Sequence, residues 1–355
     1  PKCWNVCLNS ELLSIHFKRS LVDPCVYFRV NVYIIIWIDD ILIFSSDKIE
    51  IAKLKEHLLS KFRMKDLTNL NSFKFLGLQI ERIGSSIMIS QTELINKVIS
   101  KFHMQNCKPF PVPMQPKLNL LADKNKSNEN LPYRMLVGSL MYIMLGSRPD
   151  ICFSVAYFSQ FQNNYNQTHW KYLKNILRYL LKTKNYRLEY SKSNSGTATF
   201  AVSAYADADF ANSINDRKSI SGFLVKINDN VIGWKTKKQD VVALSSAEAE
   251  YYALSCCISE CLFVKHFLEE VLNNLVISIV VYEDNQSCLK MASTLETKRS
   301  KHMDVKYHFI RNCIASGMVS LKYIPSENQT ADCLTKALPA TKFELFRREM
   351  KVLPI

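Results

Sequence analysis

The chain has 355 residues, of which 48% are hydrophobic, and this composition excludes an intrinsically disordered protein. The length predicts two or more domains, while the longest apolar run, Val32–Ile38, is too short to cross a membrane. The net charge of +14 is concentrated between Lys97 and Lys192, with 15 basic and 4 acidic residues, and favours nucleic acid as a partner over a merely soluble basic surface.

The first half of the chain is predicted to mix a hairpin, a strand pair and several helices. Within residues 26–45, two apolar, β-branched runs flank Asp39 and Asp40, a pattern typical of a β-hairpin with a tight acidic turn. Alternating residues around Gly84 predict strands over Lys74–Arg82 and Ile87–Ser90. Helical spacing of apolar residues predicts helices over Lys48–Lys61, Gln91–Phe102, Tyr133–Gly146, Asp150–Phe161 and His169–Thr183.

The second half follows a polar linker at Ser191–Gly196, which is the preferred domain boundary. Ser245 and Glu248 form a capping-box pattern that marks the start of a long helix. Strands are predicted over 197–206, Ser221–Ile227, Val231–Lys235, 276–282 and Val319–Ile324. Helices are predicted over Ser246–Val271, 285–292, about 302–315 and 330–337.

Four acidic residues, Asp207, Glu250, Asp284 and Asp332, lie where they could converge. Asp207 and Asp284 end predicted strands, Glu250 lies on the long helix, and Asp332 opens the last helix. Clustered carboxylates supply the hard oxygen ligands that two divalent cations need. Taken singly, each acid has an ordinary alternative as a turn or surface residue.

Glu250 has the strongest physical case among these acids. It shares a helix face with Ala253, Leu254, Cys257 and Cys261, so its carboxylate is predicted to point inward with no lysine or arginine on the same face. Glu248 lies on a different face and is assigned to the helix cap.

The eleven cysteines contain no CxxC pair and are predicted to be reduced thiols of an intracellular protein, in a cytoplasmic particle or the nucleus.

Short motifs follow one another in a fixed order between residues 197 and 340: Tyr205–Asp209, Asp216–Gly222, Leu244–Leu254, Glu283–Gln286, Lys301–Asp304 with Tyr307 and His308, and Ala331–Asp332 with Leu334–Lys336. Together they resemble the ribonuclease H domain of Ty1/copia-type retrotransposon polyproteins. The resemblance implies that Asp207, Glu250, Asp284 and Asp332 hold two Mg²⁺ ions, or Mn²⁺, and that the RNA strand of an RNA–DNA hybrid is hydrolysed.

The resemblance also ranks alternatives. Asp209 is a rival for the role of Asp207, which is preferred because the earlier acid is the ligand in the family. Integrases of the same fold carry their acids in the order Asp, Asp, Glu, so the order here disfavours an integrase. The residues expected to bind the nucleic-acid backbone are Arg217, Lys218, Lys301, His302, Lys306 and Arg311. For the stretch 298–311 the alternative is a solvated helix in which Asp304 and His308 pair.

The first 190 residues carry a second set of motifs: Ser20–Tyr27, Met64–Leu67, Phe75–Gly77, Tyr133–Arg134, Val137–Tyr142, Arg148–Asp150, His169–Trp170 and Leu177–Leu180. With Asp39 and Asp40 in a Tyr-x-Asp-Asp-like turn, they resemble the copia-type reverse transcriptase, with Trp37 in the place of the tyrosine. Nucleotide transfer in that family also needs an aspartate from an earlier palm strand. The chain alone is therefore not expected to extend a primer, although its basic thumb could bind a primer–template.

The expected fold is α+β to α/β. A truncated reverse-transcriptase palm, thumb and connection would occupy residues 1–190, without the fingers and early palm. A ribonuclease H-like mixed five-stranded sheet with flanking helices would occupy 191–340, and a C-terminal tail 341–355. Because the chain starts at Pro1, we expect a fragment of a retrotransposon Pol protein, with RNA–DNA hybrid, primer–template and other retrotransposon proteins as partners and no membrane. The alternatives are a non-catalytic nucleic-acid-binding remnant and a pseudogene-like product.

Overall fold

The computed structural model of the protein describes residues 2–67, 72–123, 130–192, 199–272, 275–293 and 304–354. Packing divides the chain into two units. The first comprises Pro1–Leu76 and Phe263–Leu275, and the second comprises Gly77–Leu262 and Val276–Ile355. Within the described residues, no helix combines the length and the apolar character that crossing a membrane would require.

An antiparallel sheet forms the centre of the first unit. Its elements are α1 (Lys2–Ser14), β1 (Lys18–Arg19), β2 (Val26–Arg29), β3 (Val32–Trp37), β4 (Asp40–Ser45), α2 (Lys48–Lys61) and β5 (Ser72–Phe75). The order β1-β2-β3-β4 places the alternating residues Val32, Ile34 and Ile36 of β3 in the core. Asp47 caps α2 by accepting a hydrogen bond from the backbone nitrogen of Ile49 at 2.8 Å, so this helix begins where the sequence predicts.

The predicted hairpin is present, but its turn is not the acidic pair. Trp37 pairs with Asp40, so the two turn residues are Ile38 and Asp39, and Asp40 begins β4. Ile38 has a φ of +52°, a left-handed conformation that is costly for a β-branched residue. The sequence could not reveal this register because aspartate favours turns in any case.

The second unit contains the remaining elements, apart from the end of its longest helix (residues 263–271), which belongs to the first unit. Its first part consists of β6 (Leu78–Ile83), β7 (Ser86–Ser90), α3 (Thr92–Lys101), α4 (Tyr133–Gly146), α5 (Cys152–Ser159), α6 (Gln167–Lys182) and β8 (Arg187–Tyr190). Its second part consists of β9 (Thr199–Asp209), β10 (Ile220–Ile227), β11 (Asn230–Lys238), α7 (Ser246–Val271), β12 (Val276–Glu283), α8 (Gln286–Ser293), α9 (Asp304–Ala315), β13 (Ser320–Tyr323), α10 (Ala340–Glu349) and β14 (Val352–Leu353). The predicted strand Lys74–Arg82 is interrupted at Leu76 and Gly77, which both have positive φ angles.

A mixed five-stranded sheet with the order β11-β10-β9-β12-β13 carries the second part, as the sequence predicts. β9 pairs antiparallel with β10 and parallel with β12, so it is the central strand. The hydrophobic core beneath this sheet is shared with the helices before it, because Leu140, Phe158 and Leu177 pack in one cluster with Leu224 and Leu334. Packing therefore joins the two sides of the predicted linker.

The end of the chain has more structure than expected. The predicted helix 330–337 is a short 3-10 helix, Thr330–Leu334, and the predicted tail 341–355 contains α10 and β14. β14 pairs with β8, and Phe343 and Phe346 of α10 are buried. The sequence does not predict α10 because charged residues surround these two aromatic positions.

Candidate active site

Three of the four predicted acids meet where the two central strands of the mixed sheet end. Asp207 lies on the central strand β9, opposite Gly222 of β10, and Asp284 directly follows the neighbouring parallel strand β12. Glu250 reaches them from α7, whose face of Ala253, Leu254, Cys257 and Cys261 is fully buried. One carboxylate oxygen from each of Asp207, Glu250 and Asp284 lies within 4.8 Å of the others.

The rival acid Asp209 is placed outside this group. β9 continues to Asp209, so Asp207 lies inside the strand rather than at its end. The carboxylate of Asp209 accepts a hydrogen bond from the side-chain amide of Asn212. The geometry thus assigns the position next to Glu250 and Asp284 to Asp207.

Asp332 approaches the site from the 3-10 helix but is engaged by two lysines. Lys336 Nζ lies 2.8 Å from Asp332 Oδ1, and Lys342 Nζ lies 2.7 Å from Asp332 Oδ2. Lys336 Nζ also lies 3.9 Å from Asp207 Oδ2, and the hydroxyl of Thr335 donates a hydrogen bond to that same oxygen. Asp207 and Asp332 are therefore linked through Thr335 and Lys336.

The electrostatics of the site are those of buried like charges. The pKa of Asp207 is raised to about 7 in all: burial is the main cause, Asp332 and Asp284 act in the same direction, and Lys336 and the Thr335 hydroxyl oppose the rise. Burial also raises the pKa of Glu250, with Glu283, Asp207 and Asp284 acting in the same direction. The Oε2 atom of Glu250 is buried and finds no hydrogen-bond partner among the described residues.

Glu283 is a further buried carboxylate beside the site, in addition to the four predicted acids. Its Oε1 atom accepts a hydrogen bond from the backbone nitrogen of Asn285 at 3.0 Å, and its Oε2 atom is buried without a partner in the described part of the chain. Burial raises its pKa as well. The sequence indicates this burial, because Ile279, Val281 and Glu283 alternate on the inward face of β12.

The residues present fit a divalent cation of the Mg²⁺ or Mn²⁺ type. Carboxylate oxygens are the ligands that such hard cations prefer. Buried acids without a nearby counter-charge are costly, and Glu250 has an oxygen that no described donor satisfies. A cation among Asp207, Glu250 and Asp284 would compensate these charges.

The raised pKa of Asp207 predicts a pH-dependent stability for the metal-free protein. In the folded state this carboxyl stays protonated up to about pH 7, whereas the unfolded chain loses the proton near pH 4, so ionisation destabilises the fold as pH rises through that window. Asp207→Asn should therefore raise the free energy of unfolding over wild type at about pH 7.5 and change it little at about pH 3. Urea titrations in a chelator would measure this, and an equal effect at both pH values would contradict it.

The predicted nucleic-acid-binding residues differ in their surroundings. Arg217 and Lys218 lie in the turn after β9, where Arg217 is exposed and has a φ of +56°. Lys306 Nζ lies 3.9 Å from the ring centroid of Tyr252. Arg311 instead donates to the backbone oxygen of Met291 at 3.2 Å and lies over the ring of Tyr307. Lys301 and His302 lie outside the described residues.

The polymerase-type acids form no comparable group. Asp39 and Asp40 are exposed at the tip of the β3–β4 hairpin. Within the ranges that the structure describes, neither belongs to a set of three acidic, histidine or cysteine side chains close enough to share a metal ion. The described part of the chain therefore offers one candidate metal centre, where the central strands of the mixed sheet end.

Sequence comparisons identify the family. A family model described as reverse transcriptase (RNA-dependent DNA polymerase) matches residues 1–116. Over 97% of this chain, the sequence is 36% identical to the retrovirus-related Pol polyprotein from transposon TNT 1-94 of Nicotiana tabacum, and over 99% it is 34% identical to that from transposon RE1 of Arabidopsis thaliana. The chain belongs to the Ty1/copia-type retrotransposon Pol family.

This copia-type chain spans about a quarter of the length of the curated relatives it matches, 26% of the tobacco protein and 24% of the Arabidopsis protein. Among solved structures, it is similar to a foamy viral protease-reverse transcriptase in complex with double-stranded DNA. That similarity has a TM-score of 0.48 and 13% identity, and covers 96% of this chain and 49% of the viral chain. The family model and the sequence relatives confirm the family membership predicted from the motifs.

Proposed function

We propose that residues 191–340 of this copia-type Pol chain form a ribonuclease H domain that hydrolyses the RNA strand of RNA–DNA hybrids with two divalent cations. The observation that carries the proposal is the convergence of Asp207, Glu250 and Asp284 in a buried site where an oxygen of Glu250 has no described partner. Asp332, which contacts the same Lys336 ammonium group as Asp207, would complete the ligand set.

Bound divalent cations would activate a water molecule and stabilise the leaving 3′-oxygen. Asp207, Glu250 and Asp284 would hold one ion, and Asp207 with Asp332 would hold the other. The burial of Asp207, Glu250 and Asp332 limits the access of bulk water to these ligands and restricts their rotamers. Exposed Arg217, with Lys218 beside it, would contact the phosphate backbone after β9.

We do not extend the proposal to primer extension by this chain alone. Asp39 and Asp40 meet no third metal-binding side chain within the described ranges, and nucleotide transfer uses two ions held by several carboxylates. The basic residues of the middle region support binding of a primer–template instead.

The test uses the purified chain and an RNA–DNA hybrid whose RNA strand carries a label at its 5′ end. With Mg²⁺ or Mn²⁺ we expect cleavage of the RNA strand, and with a chelator we expect none. A DNA duplex of the same sequence is the matched control and should remain intact. If the chain retards the hybrid on a native gel but leaves it uncut, the ribonuclease proposal is wrong and the non-catalytic binding remnant is favoured.

A further inference from the structure

Lys342 makes a contact that the nuclease motifs do not account for. It lies on α10, after the last motif of the nuclease segment, yet its Nζ atom is 2.7 Å from Oδ2 of buried Asp332. The same ammonium group lies 3.3 Å from the backbone oxygen of Ser326. An element outside the five-stranded sheet therefore supplies a positive charge to a candidate metal ligand.

The packing of α10 fixes the backbone position of Lys342. Phe343 and Phe346 are buried, and the ring of Phe343 lies 5.6 Å from the ring of Tyr179 on α6 in an edge-to-face arrangement. β14, which follows α10, pairs with β8. The backbone of residue 342 is thus held by the helices and the strand that precede the nuclease sheet, while its side chain keeps a third of its surface exposed.

Ammonium groups approach both oxygens of Asp332 in this arrangement. Lys342 donates a hydrogen bond to Oδ2, whereas Oδ1 lies 2.8 Å from Lys336 Nζ but has no hydrogen bond of good geometry among the described residues. An ammonium group at 2.7 Å uses one lone pair of Oδ2 and offsets the negative charge of the carboxylate, so it competes with a divalent cation for this oxygen. A positive charge at this distance also repels such a cation.

We propose that Lys342 is an autoinhibitory counter-ion, which withholds Asp332 from divalent cations until a phosphate of the nucleic acid draws the lysine away. This inference rests on the proposed ribonuclease function and adds a regulation to that same site. Lys342 can make the exchange because a third of its side-chain surface is exposed, whereas Asp332 is buried. α10 then couples the helices before the nuclease sheet to the assembly of the metal site.

The test measures Mn²⁺ binding to the metal-free full chain by calorimetry. Lys342→Gln keeps a hydrogen-bond donor for Asp332 but removes the charge, so the weakest Mn²⁺ site of the chain should tighten at least about tenfold. Lys342→Arg keeps the charge and should bind Mn²⁺ as the wild type does. Arg348→Gln is the matched control, because Arg348 lies on the same helix and pairs with exposed Glu344 at 2.8 Å.

Denaturation gives a second readout that does not depend on full occupancy. In a chelator, Lys342→Gln should unfold at a lower urea concentration than the wild type, and Mn²⁺ should stabilise the variant more than it stabilises the wild type. Equal Mn²⁺ affinity in Lys342→Gln and the wild type would overturn the inference and leave the ribonuclease proposal standing. Absence of Mn²⁺ binding by every variant and the wild type would overturn both.

Discussion

Glu250→Gln is expected to abolish metal-dependent cleavage of an RNA–DNA hybrid without unfolding the protein. The amide has the size and shape of the carboxylate but carries no charge, so it cannot replace the ligand that α7 brings to Asp207 and Asp284. Losing several kcal/mol of transition-state stabilisation corresponds to a fall in rate of at least about a thousandfold. Single-turnover cleavage of the labelled hybrid measures this loss.

Glu248→Gln is the matched control for this substitution. Glu248 is also buried, lies on the same helix two residues earlier, and accepts a hydrogen bond from the backbone nitrogen of Leu244 at 2.7 Å. The oxygen of glutamine can still accept that bond, so this variant should retain most of the activity. If both variants lose activity equally, the charge of Glu250 has no special role.

Stability should move in the opposite direction to activity in Glu250→Gln. Burial and the neighbouring acids Glu283, Asp207 and Asp284 raise the pKa of Glu250, which means that its ionised form destabilises the metal-free fold. Removing the charge relieves this repulsion, so the urea midpoint in a chelator should equal or exceed that of the wild type near neutral pH. A variant that was both inactive and much less stable would instead point to a packing defect.

The sequence predicted the parts of this site that depend on local pattern. The capping box placed the start of α7 at Ser246, and the inward face of the helix placed Glu250 beside the sheet. The approach of Asp207 to Asp284 was implied by the family resemblance, and the parallel pairing of β9 with β12 produces it. The start and the inward face of α7 depend only on residue spacing within one segment, so one sequence is enough to detect them.

Other parts of the site depend on contacts between distant segments. Lys342 reaches Asp332 because α10 packs against Tyr179, a contact that no spacing along the chain encodes. The inward position of Glu283 follows from strand alternation along β12, whereas the family resemblance points to Asp284. The turn at Ile38 was misassigned because local preference favoured the two aspartates, whereas strand register placed an isoleucine in the left-handed region.

Gly222→Ala is expected to impair both folding stability and hydrolysis, although Gly222 carries no functional group. It lies opposite Asp207 in the β9–β10 pair. A Cβ atom at this position would lie 2.8 Å from Leu334 Cβ and from Thr335 Cγ2, and 3.1 Å from the backbone carbonyl carbon of Leu334. Because the backbone of the 3-10 helix is among these neighbours, a side-chain rotation alone cannot relieve the clash.

The segment that carries Asp332 would therefore have to move away from the sheet. That displacement would weaken the hydrogen bond from Thr335 to Asp207 and the approach of Lys336 to both aspartates. Overpacking of this kind costs about 1–3 kcal/mol of the free energy of unfolding. A misplacement of about 1 Å in a catalytic ligand lowers the rate roughly a hundredfold.

Gly233→Ala on the neighbouring strand β11 separates the two effects of Gly222→Ala. A Cβ atom there would lie 3.6 Å from Val225 Cβ, which is ordinary van der Waals contact, so stability and activity should both stay near the wild-type values. Urea unfolding and single-turnover cleavage of the three proteins would be compared under one set of conditions. Full activity in Gly222→Ala would mean that hydrolysis does not depend on close packing of the Asp332 segment against β10. The three atoms nearest to the added Cβ all belong to Leu334 and Thr335 of that segment.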